Sequence, residues 1–481
     1  MLFQEKNMLI KNPLFLCLIL ITFSKVFVFS QEETWDAHTP RTAGENIKYG
    51  LIAGTEALSS VAFLTAFNFF FNRTTWSLPT KDSIKWNFTQ QWWWEDNDDF
   101  GVNQLGHPFQ GLFSFGAGRV NGFNFYQSVF FSASAGFVWE AFGESNHASM
   151  NDFITTVVGS MPTGEMFYRL YLEAYAADLP EPLIFFINPM ADMHRLLTKW
   201  KPPDPGRNLE MLQFFTGSSF AKTQYSVSNK DKELYYFRGV SFDAGGSLIY
   251  GNPFEQETWI PYRQFEFSFA FGINYGNYIN LTLISDGYLF SFSPVYTDKD
   301  AMSTGLSMHF DYRSLGEFSM EDSTINQYSS ALDWTVKYRH LFFENVSFQA
   351  KLHSGLTFFG SSKYYANLPV INDLGHIKKD FNNFGWGPNC KWLFSLKHEK
   401  FSGLDLCLYY YLLFTFPETT YLTHGNVNML FADIGYTYFF TRHICASIIY
   451  SIAKEWGSFD RGFITSYKSN DAVKLYIAWN R

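Results

Sequence analysis

Between Asn103 and Arg169 the chain gathers His107, Glu140, Glu144, Asp152, Glu165 and Arg169, with Asn103, Arg119 and Asn151 among them. Glu140 and Glu144 are four residues apart, so on a helix they share one face and repel each other. A positive group must balance them, and the candidates are Arg119, Arg169, a protonated His107 or a metal ion. Two carboxylates and an imidazole have the donor chemistry either to ligate zinc or to exchange protons as general acid and base. His107, Glu140, Glu144 and Asp152 are therefore the candidate catalytic residues. Against catalysis, the chain contains no H-E-x-x-H and no G-x-S-x-G nucleophile elbow. The favoured reading is a buried, hydrogen-bonded network that fixes helix packing, with Asn103, Arg119, Asn151, Glu165 and Arg169 as its structural members. No resident metal and no cofactor is expected. Glu165 precedes Arg169 by four residues, the favourable order for an ion pair on one helix face.

Helices must position these groups. Asn124 to Gly143 reads as a helix with a small-residue stripe at Ser128, Ser132, Ala133 and Gly136. Ser149 and Asp152 fit a capping box that opens the next helix, where Pro162 and Gly164 predict a kink or break. Upstream, Tyr49 to Phe71 is apolar and long enough to span a bilayer, but Gly50, Gly54, Ala57 and Ser60 line it and Glu56 lies within it. An unpaired carboxylate in lipid is costly, so a helix buried against other helices is expected there. Residues 32–46 are polar, and residues 82–100 alternate loosely before Trp92, Trp93, Trp94 and the acidic Glu95 to Asp99, which lack a calcium-loop spacing. Pro-rich segments at 180–189 and 201–206 read as a linker leaving the helices.

From Glu210 onward the period changes to two. In Gln264 to Tyr275, Phe265, Phe267, Phe269, Phe271 and Ile273 face one way, and Glu266, Ser268, Ala270, Gly272 and Asn274 the other. About twelve such segments follow, most near the ~10 residues a tilted strand needs to cross a membrane. A soluble sandwich would alternate too. Here the apolar faces are Phe, Leu, Ile and Tyr throughout, while the opposite faces carry isolated charges (Glu266, Asp311, Lys351, Asp405, Asp433, Lys474) that a wet lumen accepts and a packed core does not. Aromatic residues make up 20% of the 481 and charged ones 17%, the mixture that alternating strands produce. The expected fold is mainly β with an N-terminal α-helical subdomain: a transmembrane antiparallel β-barrel of about twelve strands over 206–481, preceded by helices over 31–205. Lys6 and Lys11 before an apolar run and small residues near Ser30 predict a signal peptide over 1–30. Cys390, Cys407 and Cys445 form neither a disulfide framework nor a metal pattern. A net charge of -9 excludes nucleic acid as a partner.

The segments D-F-G-V-N-Q-L-G-H-P-F-Q-G, W-E-A-F-G-E, S-M-N-D-F-I-T-T and G-E-M-F-Y-R resemble a bacterial family of unknown function whose members carry N-x-x-x-H-P-x-x-G, W-E-x-x-x-E, P-S-x-N-D-x-I-x-T and G-E-x-x-Y-R in this order. The resemblance covers roughly residues 85–200. It places Asn103, His107, Arg119, Glu140, Glu144, Asn151, Asp152, Glu165 and Arg169 on the pattern. Ala148 stands where Pro is usual and Ser160 where a second Gly is usual. The resemblance implies an outer-membrane protein of a Gram-negative-type envelope with no established activity. A fainter likeness is to VanZ-like helical membrane proteins, which also place a His, a Glu and an S-x-x-D on successive helices.

These readings together lead to an outer-membrane barrel, structural or transport-related, in contact with outer-membrane lipid. Residues 47–175 are expected as a compact helical plug in the lumen or at its periplasmic mouth. The rival reading is an envelope hydrolase or transferase acting on lipid or cell-wall material through His107, Glu140 and Glu144. A soluble periplasmic binding module is the third.

Overall fold

The computed structural model describes residues 42–480 apart from 95–97, 99, 230, 256, 275–278, 316–324, 372–376, 399, 417–424 and 460–464. The expected signal peptide and most of the acidic run Glu95 to Asp99 lie outside the described residues. The chain divides into two units, Met1–Asn208 and Leu209–Arg481.

In the first unit the described residues form seven α-helices: α1 (Ala43–Phe70), α2 (Lys81–Thr89), α3 (His107–Val120), α4 (Phe125–Phe142), α5 (Met150–Ala176), α6 (Glu181–Ile187) and α7 (Pro189–Thr198). Capping residues start most of them. Thr42 and Glu45 form a reciprocal capping box, as do Thr80 with Ser83 and Asn124 with Gln127. Helix therefore begins inside the polar stretch 32–46, and the loosely alternating residues 82–89 are helical. The proline-rich 180–189 is a pair of helix starts: Pro182 is the second residue of α6 and Pro189 the first of α7, within the first turn where a missing N–H has no partner to lose. Pro162 does not break α5, which runs unbroken through it for 27 residues.

Helix α3 is the hub, and glycine lets its neighbours approach. A Cβ at Gly111 would lie 2.1 Å from the Thr156 carbonyl oxygen, and one at Gly164 would lie 2.5 Å from the Phe115 ring. The α3 and α5 backbones thus cross too closely for any larger residue. Helix α1 packs Ala53, Ala57 and Val61 on Ala117, Phe131, Ala135 and Trp139. Burial covers this face alone, because Leu51, Phe63 and Phe70 are each 69–70% exposed. Glu56, the expected lone carboxylate, accepts from Asn121 Nδ2 (2.6 Å) and pairs with His194 Nδ1 (2.7 Å).

The second unit is a closed antiparallel barrel of twelve strands, each bonded to its sequence neighbours, with β1 (Leu209–Asn229) sealed to β12 (Thr465–Asn480). Closure leaves no unpaired edge. The strands between are β2 (Asp231–Tyr250), β3 (Phe265–Asn274), β4 (Ile279–Tyr296), β5 (Asp300–Leu315), β6 (Ile325–Phe343), β7 (Val346–Ile371), β8 (Ile377–His398), β9 (Ser402–Thr415), β10 (Gly425–Phe439) and β11 (Ile444–Phe459). Alternation sorts the faces: Phe220, Phe242, Ile434, Ile448 and Ile477 stand exposed on the outside, while Ser219, Ser241, Asp243 and Ser451 are buried on the inside. Phe265, by contrast, is fully buried against Tyr250 and Tyr262.

Candidate functional site

The candidate residues fall into two clusters at opposite ends of the α3–α5 pair. At one end, Arg119 Nε lies 2.7 Å from Glu165 Oε2, and Arg169 Nη2 lies 2.9 Å from Glu165 Oε1. Arg119 Nη1 also donates to the Phe123 carbonyl at 2.7 Å, and its guanidinium stacks over Tyr168 at 4.7 Å. All three charged groups are at most 2% exposed, so one carboxylate is held, buried, between two guanidinium groups.

The other end is built around His107. A five-residue π-helix, Val102–Gly106, leads directly into α3, and the His107 N–H bonds the Val102 carbonyl five residues back. Pro108 explains the widening. It lacks an N–H and its ring would strike the carbonyl four residues back, so the turn opens by one residue. His107 then points at α5: its Nε2 lies 3.5 Å from Asp152 Oδ1 and its Nδ1 lies 3.3 Å from Thr156 Oγ1. Glu140, from the last turn of α4, joins them, and one ligating atom from each of His107, Glu140 and Asp152 lies within 4.8 Å of the others. The Ser149 N–H donates to Glu140 Oε2 at 2.8 Å. Asn151 Nδ2 donates to Asp152 Oδ1 at 2.8 Å, and Gln104 Nε2 holds Asn151 Oδ1 at 2.9 Å. Burial pushes His107 down to about 4, which keeps the imidazole neutral at neutral pH.

Glu144 is buried but lies past the end of α4, whose last residue is Phe142, so it does not share a helix face with Glu140 and stands outside this set; Asn103 bonds the Asp98 carbonyl at 3.4 Å. The two ends are about 18 Å apart along α3 and about 20 Å apart along α5, at 1.5 Å per residue. Arg119 and Arg169 therefore cannot balance Glu140, and the single network expected from sequence is two. Sequence reasoning also missed Asn87, Gln104 and Thr156. Asn87 Nδ2 donates to the Glu140 carbonyl (3.0 Å), and its Oδ1 accepts from the Ala148 N–H (3.1 Å). Gln104 in N-Q-L-G and Thr156 in S-M-N-D-F-I-T-T lie inside the quoted segments, whereas Asn87 carried no sequence hint.

The barrel interior is a second polar region. Several of its charges, Glu266, Asp311 and Lys351 among them, are paired across strands and are not isolated as the alternation implied. Lys337 on β6 binds Glu266 on β3 (2.8 Å) and Asp286 on β4 (3.2 Å), and Lys351 on β7 also binds Glu266. Lys391 on β8 reaches His309 Nδ1 on β5 at 2.8 Å and pairs with Asp311. Asp333 lies 3.5 Å from His309 Nε2, and Thr335 bonds His353 at 2.7 Å. Arg313 on β5 stacks over Phe431 on β10 at 4.4 Å, although these strands stand on nearly opposite walls. Strands β6 and β12, six places apart in the ring, approach within 8 Å. A round twelve-strand barrel would hold them roughly 20 Å or more apart. The barrel is pinched, and its own side chains fill part of its interior. A cavity of 340 Å³ remains, lined in part by Asp243, Arg313, Asp433, Lys474 and Tyr476. Asp405 sits apart from these groups, 3.8 Å from Lys397, and both side chains are more than a third exposed.

Fold and site define the class: a closed twelve-strand antiparallel barrel with an N-terminal helical unit that buries two polar clusters. Residues 91–190, about a fifth of the chain and the part that holds the candidate residues from Asn103 to Arg169, match the sequence family described as a domain of unknown function (DUF3943). No curated protein matches the sequence. Among solved structures, the chain is similar to the COG4313 outer membrane channel from Pseudomonas putida F1, with 10% identity over 57% of this chain and 96% of that one, at a TM-score of 0.30. It is also similar to the P. putida toluene transporter TodX (7%, 56% and 90%, 0.23) and to the translocator domain of the autotransporter NalP from Neisseria meningitidis (9%, 57% and 88%, 0.26). At such TM-scores the strand pairing of this chain, and not the likeness, carries the fold.

Proposed function

We propose that the chain is an outer-membrane barrel protein of a Gram-negative-type envelope, structural or transport-related, with lipid as the partner of its outer face. One observation carries the reading. Twelve strands close without an edge, with Phe, Leu and Ile exposed on the outside and paired charges inside. In hydrocarbon every backbone polar group needs an internal partner, which a closed barrel supplies. The cross-lumen pairs favour a barrel that is shut at rest over a standing pore, since open selective pores carry rings of one charge. Fractionation of cells expressing the full chain tests the location. Recovery in the outer-membrane fraction is expected, and intact protein in the soluble periplasm would overturn the reading. Planar-bilayer recording of the same protein is expected to show little steady conductance.

The convergence of His107, Glu140 and Asp152 favours a second reading, an envelope hydrolase or transferase acting on lipid or cell-wall material. In that reading Asp152, and not Glu144, partners His107.

A further inference from the structure

We propose that His107, Glu140 and Asp152 form a binding site for a divalent first-row transition-metal ion. Three separate helices deliver one ligand each: the first residue of α3, the last turn of α4 and the first turn of α5. Their ligating atoms lie within 4.8 Å of one another. Two atoms bound tetrahedrally at the usual ~2.1 Å from one ion lie ~3.4 Å apart. An ion therefore needs to draw the widest pair of the set together by no more than about 1.4 Å, within reach of side-chain rotation.

The surroundings orient the donors as a metal requires. A proton on His107 Nδ1, given to Thr156 Oγ1 at 3.3 Å, leaves the Nε2 lone pair directed at the carboxylates. Such a bond to the far ring nitrogen is the usual support of a ligating histidine. The Ser149 N–H holds one Glu140 oxygen, and Asn151, itself held by Gln104, fixes Asp152. The π-turn before Pro108 sets the angle at which His107 enters, and π-bulges recur at functional sites.

The donor set chooses the ion. Two carboxylates carry the charge that a dication neutralises. An imidazole with carboxylates suits Zn²⁺, Mn²⁺ or Fe²⁺, whereas Ca²⁺ prefers oxygen throughout and no thiolate is in the set for a softer ion. Three protein ligands leave a coordination position for water or substrate, the pattern of catalytic rather than structural zinc. The alternative is that Asp152 simply caps α5, where Ser149 Oγ already accepts from the Asp152 N–H.

Full-length protein in detergent, stripped with chelator and titrated with Zn²⁺ by calorimetry, tests the site. One equivalent per chain is expected. His107→Ala and Asp152→Asn should weaken binding about a hundredfold, and Thr156→Val, which removes only the partner of Nδ1, about tenfold. Loading with Co²⁺ gives an independent readout, d–d absorption bands that disappear in His107→Ala. The helical circular-dichroism signal of the chelated variants checks folding, and Asp152→Asn, isosteric with the parent, covers the case in which His107→Ala fails to fold. His443→Ala, an exposed barrel histidine, should change nothing. Absence of stoichiometric binding, binding that survives both Asp152→Asn and His107→Ala, or loss on His443→Ala would each overturn the proposal.

Discussion

The two ends of the α3–α5 pair bury charge by opposite rules. At the Arg119 end two guanidinium groups enclose one carboxylate; at the His107 end two carboxylates converge on one imidazole. Both ends are almost wholly sealed from water, so the difference is not exposure but composition. The first is complete with protein groups alone and locks two helices together. The second gathers donors, which is what a site does. The contrast teaches that the central constellation of polar residues combines a clamp and a cluster of converging donors on the same pair of helices.

Breaking the clamp should produce the largest effect. Arg169→Ala leaves Glu165 buried with half its pairing gone, and a loss of about 3–5 kcal/mol is expected from chemical denaturation followed by the helical circular-dichroism signal. An unchanged midpoint would mean that the pair contributes nothing. Gly111→Ala comes next. The new methyl meets the Thr156 carbonyl at 2.1 Å, and forcing α3 from α5 should cost about 1–3 kcal/mol. Because Gly111 sits between the two ends, the same variant should also weaken Zn²⁺ binding at His107, whereas Arg169→Ala should not.

Sequence made parts of this comparison readable and hid others. The Glu165 to Arg169 spacing named a pair, but Arg119, 46 residues away, joins only through the α3–α5 crossing. Alternation from Glu210 onward exposed the barrel because period two is written in consecutive residues. The pinch that joins Arg313 to Phe431 depends on strands five places apart in the ring, for which no local pattern exists. Helix α2 read as loosely alternating since its nine residues are too few to show a 3.6-residue period. The prolines of 180–189 looked like a linker because the same residue that ends helices is tolerated in their first turn. His107, Glu140 and Asp152 were all named, but their meeting rests on a π-turn that one proline imposes and sequence leaves silent.

A charge-neutral swap sharpens the contrast with a smaller effect. Glu140→Gln keeps an oxygen for the Ser149 N–H but removes one of two converging negative charges. In chelated protein it should leave stability unchanged or raise it by about 1 kcal/mol, the scale of one relieved close charge pair in a partly screened site. Glu165→Gln, its counterpart at the arginine end, should lower stability by about 2–3 kcal/mol, since hydrogen bonds to charged partners are lost. Equal losses from the two swaps would show that both ends follow one rule.

The smallest effect comes from the barrel and calibrates the rest. Lys397 and Asp405 are 3.8 Å apart on neighbouring strands, with side chains 45% and 37% exposed. Water already solvates both groups, so their attraction is weak and is offset by the freedom two long side chains lose on pairing. Lys397→Ala should therefore shift stability by no more than about 0.5 kcal/mol, measured against the parent in the same detergent. Lys391→Ala, on the same strand, leaves the buried Asp311 without its ammonium partner and should cost several times more. A similar penalty for both would mean that pairing as such, not desolvation, sets the energy of these contacts. The helical clamp and the His107 cluster would then differ only in which ions they hold.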